Sequence, residues 1–102
     1  MFIVHLNYKA PLTEVDKYLQ AHREFLDYHY KQGLLLASGP MKPRTGGVLI
    51  ALSNNREDLE SVLQQDPYFM ADIAEYEIIE FSPVKHCDEI KDLILEREGR
   101  LC

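Results

Sequence analysis

The order in which strand-like and helix-like patterns follow one another is the feature that most constrains this chain. Residues 2–8 alternate, with apolar side chains on one face and mixed side chains on the other, which is typical of a β-strand. Across residues 13–32, apolar side chains recur every three or four positions, which predicts a helix with one buried stripe. Two short and wholly apolar segments, 34–38 and 48–52, then predict buried strands.

The ends of these elements carry their own signals. Thr13 with Asp16 resembles a capping pair at the start of the first helix, and Gly33 suits the left-handed residue that ends it. Residues 39–47 are expected to form a connection between two hairpin strands, one that is mobile or faces a ligand.

The second half of the chain adds another helix and another strand. Asn54 or Asn55 can cap a helix that ends near Gln65, and residues 75–81 again have strand alternation. Residues 88–99 predict a third helix with a narrow apolar stripe. The element order is therefore β-α-β-β-α-β, followed by a terminal helix.

This order predicts an α+β fold of the ferredoxin-like, split βαβ type. Its four-stranded antiparallel sheet carries both helices on one face, so that the other face is open. Apolar residues alternate onto both faces of the strands, and a second copy of the chain is the simplest cover for the open one. We expect one domain over residues 1–102, with a core of 1–83, a helical extension of 84–102, and a homodimer or higher homo-oligomer.

Composition limits the possible partners. The 102 residues carry 11 basic and 17 acidic side chains, for a net charge of −6, which argues against nucleic acid or an anionic membrane as a partner. No apolar run is long enough for a membrane-spanning helix, and the first residues lack the pattern of a signal peptide. Two cysteines make no disulfide framework. The expected location is the cytoplasm.

Three positions could carry chemistry, and each has a plainer interpretation. His22 lies within the apolar stripe of the first helix, either as an acid–base group or as a buried histidine bonded to a backbone carbonyl. Asp66 precedes Pro67, so it either caps a short helix or orients an imidazole, and both roles are compatible. The segment Ser38-Gly39-Pro40 either binds a ligand oxygen or simply forms a turn.

Other chemistries find little support. His22 and His29 lie two helical turns apart, too far for one ion, and the cysteines complete no zinc pattern, so no metal is expected. There is no glycine-rich phosphate loop and no G-x-S-x-G elbow. Cys87 has only the adjacent His86 to favour it as a nucleophile. We therefore expect no cofactor.

Three motifs in this order are similar to those of the YCII-related (YciI-like) family of small proteins. They are His22 in Gln-Ala-His-Arg, the segment from Gly33 to Pro40, and Asp66-Pro67-Tyr68. The resemblance covers roughly residues 1–83. It implies a ferredoxin-like fold that pairs as a dimeric α+β barrel, and an active site in which Asp66 partners His22 with Ser38 beside them.

The resemblance also guides the expected activity. One relative in the family is a dehydrochlorinase that acts on a chlorinated hydroxyquinol, and distant relatives with the same barrel include muconolactone isomerases. By analogy, His22 would transfer protons on a small cyclic organic molecule, in a lyase-like or isomerase-like reaction without a cofactor, and Asp66 would orient His22 and stabilise the imidazolium. Ser38, Gly39, Pro40 and Tyr68 would bind the substrate.

The alternative is a dimeric module that binds a small ligand, or serves only as structure, without catalysis. The loop between Pro40 and Gly47 leaves a further choice open. Its Lys42 and Arg44 either attract an acidic substrate or keep the loop soluble.

Overall fold

The computed structural model of the protein describes residues 1–97. Its four strands form one antiparallel sheet in the order β2-β3-β1-β4, as the ferredoxin-like prediction requires. The last residues of the helix predicted over 88–99 lie outside the described part. The strands are β1 (Phe2–Tyr8), β2 (Leu35–Pro40), β3 (Gly46–Ala51) and β4 (Ala74–Glu80), and the helices are α1 (Leu12–Val15), α2 (Leu19–Lys31), α3 (Arg56–Leu63), α4 (Pro67–Met70) and α5 (Lys91–Arg97).

The main core lies between one face of the sheet and the helices. Alternate residues of the central strand β1, namely Phe2, Val4 and Leu6, are fully or almost fully buried there. In β3, Leu49 lies opposite Val4 and is buried on the same face. The period of two seen in the sequence therefore gives the correct inward face of the sheet.

The first predicted helix is interrupted. α1 ends at Val15, a 3₁₀ turn spans Asp16–Tyr18, and α2 begins at Leu19. The capping prediction for Thr13 with Asp16 is wrong, because Pro11 occupies the N-cap position and no side chain caps α1. Proline restricts its own backbone and suits a helix start, so the helix begins earlier than the capping pair indicated.

The predicted stop of this helix is confirmed. Gly33 follows α2 with a φ of +78°, a conformation that side chains other than glycine rarely adopt.

The hairpin connection is shorter than predicted. β2 continues through Gly39 and Pro40, and β3 begins at Gly46, so only residues 41–45 remain as a loop. Proline is tolerated because β2 lies at the edge of the sheet. At Gly46 a Cβ atom would lie 1.8 Å from the carbonyl oxygen of Leu6, so β3 can approach β1 there only through a glycine.

The second helical region starts as the sequence indicated. The side chain of Asn55 accepts a hydrogen bond from the Asp58 N–H at 3.0 Å and caps α3. Asp66 caps the single turn of α4, with Pro67 at its first position. The prediction of a cap at Asp66 is therefore confirmed.

A small second core lies on the face of the sheet opposite α2. Ile94 of α5 is fully buried there with Met1 and Leu52, against the partly buried Leu36 and Ile50. The sequence predicts that this face is open, with a second copy of the chain as its simplest cover, whereas the C-terminal segment covers part of it. Within residues 1–97, none of the helices is both long and apolar enough to cross a membrane.

We expect α5 to contribute to stability through Ile94. Ile94→Ala should lower the free energy of unfolding by about 2–5 kcal/mol, because it removes a fully buried side chain and leaves a cavity. Urea denaturation measures this change. The matched control is Leu95→Ala at the neighbouring position. Because Leu95 is 47% exposed, its substitution should lower the free energy of unfolding far less. Equal losses in the two variants would contradict this role for α5.

Candidate functional site

A cavity of about 570 Å³ lies between the sheet and α2. This volume is within the usual range for sites that hold small molecules. Its apolar wall comes from leucines of the sheet and of α2, and its polar groups come from several separate segments of the chain. The lining includes His22, Arg23, Tyr30, Ser38, Gly39, Pro40, Arg44 and Tyr68.

His22 lines this cavity, and it contacts Asp66, which lies 44 positions away in the chain and is buried outside the lining. His22 Nδ1 lies 2.8 Å from Asp66 Oδ1, and the two residues are 8% and 0% exposed. An ionised carboxylate can only accept hydrogen bonds, so Nδ1 carries the proton that it donates. In the neutral imidazole, Nε2 then holds a free lone pair. His22 lines the cavity, and residues 1–97 provide Nε2 with no hydrogen-bond partner.

Asp66 accepts two further hydrogen bonds. The N–H of Tyr68 donates to Oδ1 at 3.0 Å, as expected of a helix cap, and the hydroxyl of Tyr76 donates to Oδ2 at 2.7 Å. Burial, followed by the negative charge of Asp66, raises the pKa of the Tyr76 hydroxyl, so that it stays protonated and remains a donor. Three donors thus compensate a carboxylate that has no contact with water.

Tyr68 stacks on the imidazole of His22. The two ring centroids are 3.9 Å apart and the planes are within 7° of parallel. Tyr68 is 2% exposed, yet its hydroxyl has no hydrogen-bond partner, although nearly all buried polar groups have one. Burial raises the pKa of this hydroxyl to about 12, so it stays protonated and can donate a hydrogen bond at any physiological pH.

The segment Ser38-Gly39-Pro40 lies along the cavity as part of β2, not as a turn. The oxygen atoms of Ser38 and Tyr30 are 2.6 Å apart, so these two hydroxyls share a hydrogen bond. Pro40 has no N–H group and can offer only its ring and its carbonyl. Five of the six predicted site residues therefore line one cavity, although they come from three elements: His22 from α2, Ser38, Gly39 and Pro40 from β2, and Tyr68 from α4. The sixth, Asp66, is buried next to His22 and does not line the cavity.

Arg44 is a lining residue that was not predicted as part of the site. Arg44 extends from the hairpin loop into the cavity lining, while Lys42 of the same loop is exposed. One guanidinium nitrogen lies 2.7 Å from Asp16 Oδ1, and the guanidinium carbon lies 5.8 Å from the centre of the Tyr8 ring. Two basic residues in a short loop were the only signal for this position.

Tyr76 was missed for a different reason. Its register opposite Leu6 places it on the helix-facing side of β4, where an ordinary core tyrosine would also lie. Nothing in the alternation of the strand distinguishes a tyrosine that donates to a buried carboxylate from one that only packs.

A second buried histidine lies on α2 outside the cavity. His29 is 8% exposed and packs against the rings of Phe25 and Tyr28. Burial lowers its pKa, although Asp66 opposes this effect. Over residues 1–97, no three His, Cys, Asp or Glu side chains come together as a metal-binding group.

Comparison with known proteins places the chain in a family. A search of curated proteins finds no match. Among solved structures, the chain is similar to the 5-chloro-2-hydroxyhydroquinone dehydrochlorinase from Burkholderia phenoliruptrix in complex with 2,5-dihydroxybenzoquinone, with 20% identity and a TM-score of 0.63. The similarity covers 87% of this chain and 98% of the other, and at this identity it shows the fold alone. The model of the YCII-related domain matches residues 1–82, and the chain therefore belongs to the YCII-related family.

Proposed function

We propose that this protein catalyses proton transfer on a small cyclic organic molecule, with His22 as the acid–base group and Asp66 as its positioning residue. The observation that carries the proposal is the 2.8 Å hydrogen bond between His22 Nδ1 and Asp66 Oδ1 at the wall of the cavity. This bond leaves Nε2 to exchange a proton with a bound molecule. Asp66 then stabilises the imidazolium that forms.

The reaction needs no partner beyond the substrate. His22 Nε2 takes a proton from the substrate, and the electron pair of the broken bond remains with the substrate. The imidazolium returns the proton to another substrate atom in an isomerase-like reaction, or to a leaving group in a lyase-like one. Positioned groups of this kind accelerate reactions by about 10²- to 10⁴-fold.

The size and lining of the cavity favour a small ring as the ligand. Flat aromatic side chains, Tyr8, Tyr30 and Tyr68, stand among leucines around a space of about 570 Å³. The structurally similar dehydrochlorinase holds 2,5-dihydroxybenzoquinone, a small ring with several oxygens. A ligand of that class matches both the apolar walls and the isolated polar groups in this cavity.

We expect His22→Gln to reduce the activity strongly, because it removes the group that exchanges the proton. Exchange of substrate protons for deuterium can be followed by NMR with cyclopentanone, cyclohexanone and 2,5-dihydroxybenzoquinone as probes, the last being the ligand of the similar structure. The protein should accelerate exchange in at least one probe, and His22→Gln should reduce the rate by about 10²- to 10⁴-fold.

The matched control for this experiment is His29→Gln. His29 is buried on the same helix but does not line the cavity, so its replacement should leave the exchange rate within about threefold. Equal effects of the two substitutions would contradict the assignment of His22. Binding of a probe without any exchange would favour the non-catalytic ligand-binding module.

The proposed role of Asp66 in orienting His22 can be separated experimentally from its role as the N-cap of α4. Asparagine is as good an N-cap as aspartate, but its amide can donate to Nδ1 and reverse the imidazole tautomer. Asp66→Asn should therefore reduce the exchange rate by about 10²-fold or more. As a control, Asn55→Ala removes the cap of α3 and should cost about 1 kcal/mol of stability without changing the exchange rate. If Asp66→Asn leaves exchange unchanged, Asp66 is only a cap.

We further propose that the chain forms a homodimer through the sheet face opposite α2. Ile79 and Phe81 occupy this face beside the part that α5 covers, and they are 49% and 41% exposed. Side chains of this size are rarely left open to water next to one another, and a two-fold pair of identical faces is the commonest way to cover them.

Light scattering tests the dimer. At micromolar concentration the mass should be twice the chain mass of 11.9 kDa, and Ile79→Lys should reduce it to that of one chain. The control is Leu12→Lys, because Leu12 is 42% exposed but lies on α1, away from this face. A single-chain mass for the unmodified protein would overturn the proposal.

A further inference from the structure

The cavity contains a buried donor that no protein group satisfies. The Tyr68 hydroxyl has lost its contact with water and gains no hydrogen bond in exchange, which costs about 1–3 kcal/mol. Such a cost is expected where the missing partner is a ligand. The hydroxyl stays protonated and can therefore donate a hydrogen bond, for which a ligand oxygen is the simplest acceptor.

A guanidinium lies near this hydroxyl. Arg44 and Tyr68 both line the cavity, and Tyr8 lies between them, with its ring centre 5.8 Å from the guanidinium carbon and 6.0 Å from the centre of the Tyr68 ring. The positive charge of Arg44 also opposes the rise of the Tyr68 pKa. Asp16 holds the guanidinium through one nitrogen at 2.7 Å, and a guanidinium has five N–H donors in all. Several donors thus remain for a ligand, and the pairing with Asp16 keeps the group in place.

His22, Tyr68 and Arg44 all line the same cavity. The ring of Tyr68 is stacked on the ring of His22, so a small ligand in contact with Nε2 of His22 is also close to the Tyr68 hydroxyl. On the proposed function, His22 removes a proton from the ligand, and negative charge develops on it. A hydroxyl and a guanidinium that are already placed beside the developing charge stabilise it with little reorganisation.

We infer that Tyr68 and Arg44 form an oxyanion site, and that the substrate is therefore a cyclic carbonyl compound with an acidic C–H bond beside its carbonyl. This inference rests on the proposed function and adds the substrate class. The C–H bond breaks and its proton passes to His22 Nε2. The electron pair forms a C=C bond, and the π electrons of the carbonyl move to its oxygen. The resulting enolate oxygen accepts hydrogen bonds from Tyr68 and Arg44.

Arg23 provides a comparison within the same cavity. It also lines the space, but it is exposed, so that water screens its charge. Arg44 is less exposed and lies over the Tyr8 ring, which packs against Tyr68. Substitution of each arginine in turn can therefore distinguish a specific contact with the oxyanion from a general effect of positive charge.

The test uses two flat probes of similar shape, para-nitrophenolate as a stand-in for the enolate and para-nitrotoluene as its neutral counterpart. Binding of each is measured by calorimetry. Tyr68→Phe and Arg44→Gln should each weaken binding of the phenolate by about tenfold or more, since each removes a hydrogen bond to a charged atom. Arg23→Gln should change it by less than about threefold. Affinity for para-nitrotoluene should stay within about threefold in every variant, which also shows that the cavity remains intact.

The outcome separates this inference from the proposed function. If both substitutions leave phenolate binding unchanged while His22→Gln still abolishes proton exchange, the oxyanion site is wrong and the proposed function stands. If phenolate binding depends on Tyr68 and Arg44 while the His22→Gln variant exchanges protons normally, the two residues form an anion-binding site, and both the proposed function and the substrate class inferred from it fail. If Arg23→Gln weakens phenolate binding as strongly as Arg44→Gln, the effect is general positive charge, which overturns the specific site.

Discussion

The site depends on one buried carboxylate. Asp66 has no contact with water, and a charge in such a place is unstable unless donors surround it. The three donors come from different elements, with His22 on α2, the backbone of α4 at Tyr68, and Tyr76 on β4. Satisfying this carboxylate therefore fixes how α2, α4 and β4 lie relative to one another.

The same constraint gives the cavity its chemistry. Because Asp66 accepts from His22 Nδ1, the opposite ring nitrogen is the one left for a ligand. Because Asp66 begins α4, the next residues bring Tyr68 under the imidazole, where the two rings stack at 3.9 Å. The cap and the proposed catalytic role are not alternatives, since the carboxylate that caps α4 also accepts a hydrogen bond from His22.

Several features of the site could be read from the sequence, for physical reasons that act locally. An aspartate before a proline is a strong helix start, and a histidine within an apolar stripe must face the core. Similarity of motif then added the pairing of His22 with Asp66, which composition and spacing had left open. Arg44 could not be found in this way, because its position depends on a loop that folds back over Tyr8 and on the ion pair with Asp16. Tyr76 was equally hidden, because a tyrosine in an alternating strand looks the same whether it packs or donates.

The sequence by itself determined the order of the elements, the inward face of β1, and the glycine that ends α2, because each depends on neighbours a few positions away. The tertiary structure decided where the hairpin turns, since the end of β2 and the start of β3 depend on pairing across the sheet, including the close approach of Gly46 to Leu6. It also decided that α5 packs its Ile94 onto the second face of the sheet, and that the Tyr68 hydroxyl is buried without a partner. These last features arise from contacts between distant segments, and the local pattern of apolar and polar residues is the same with or without them.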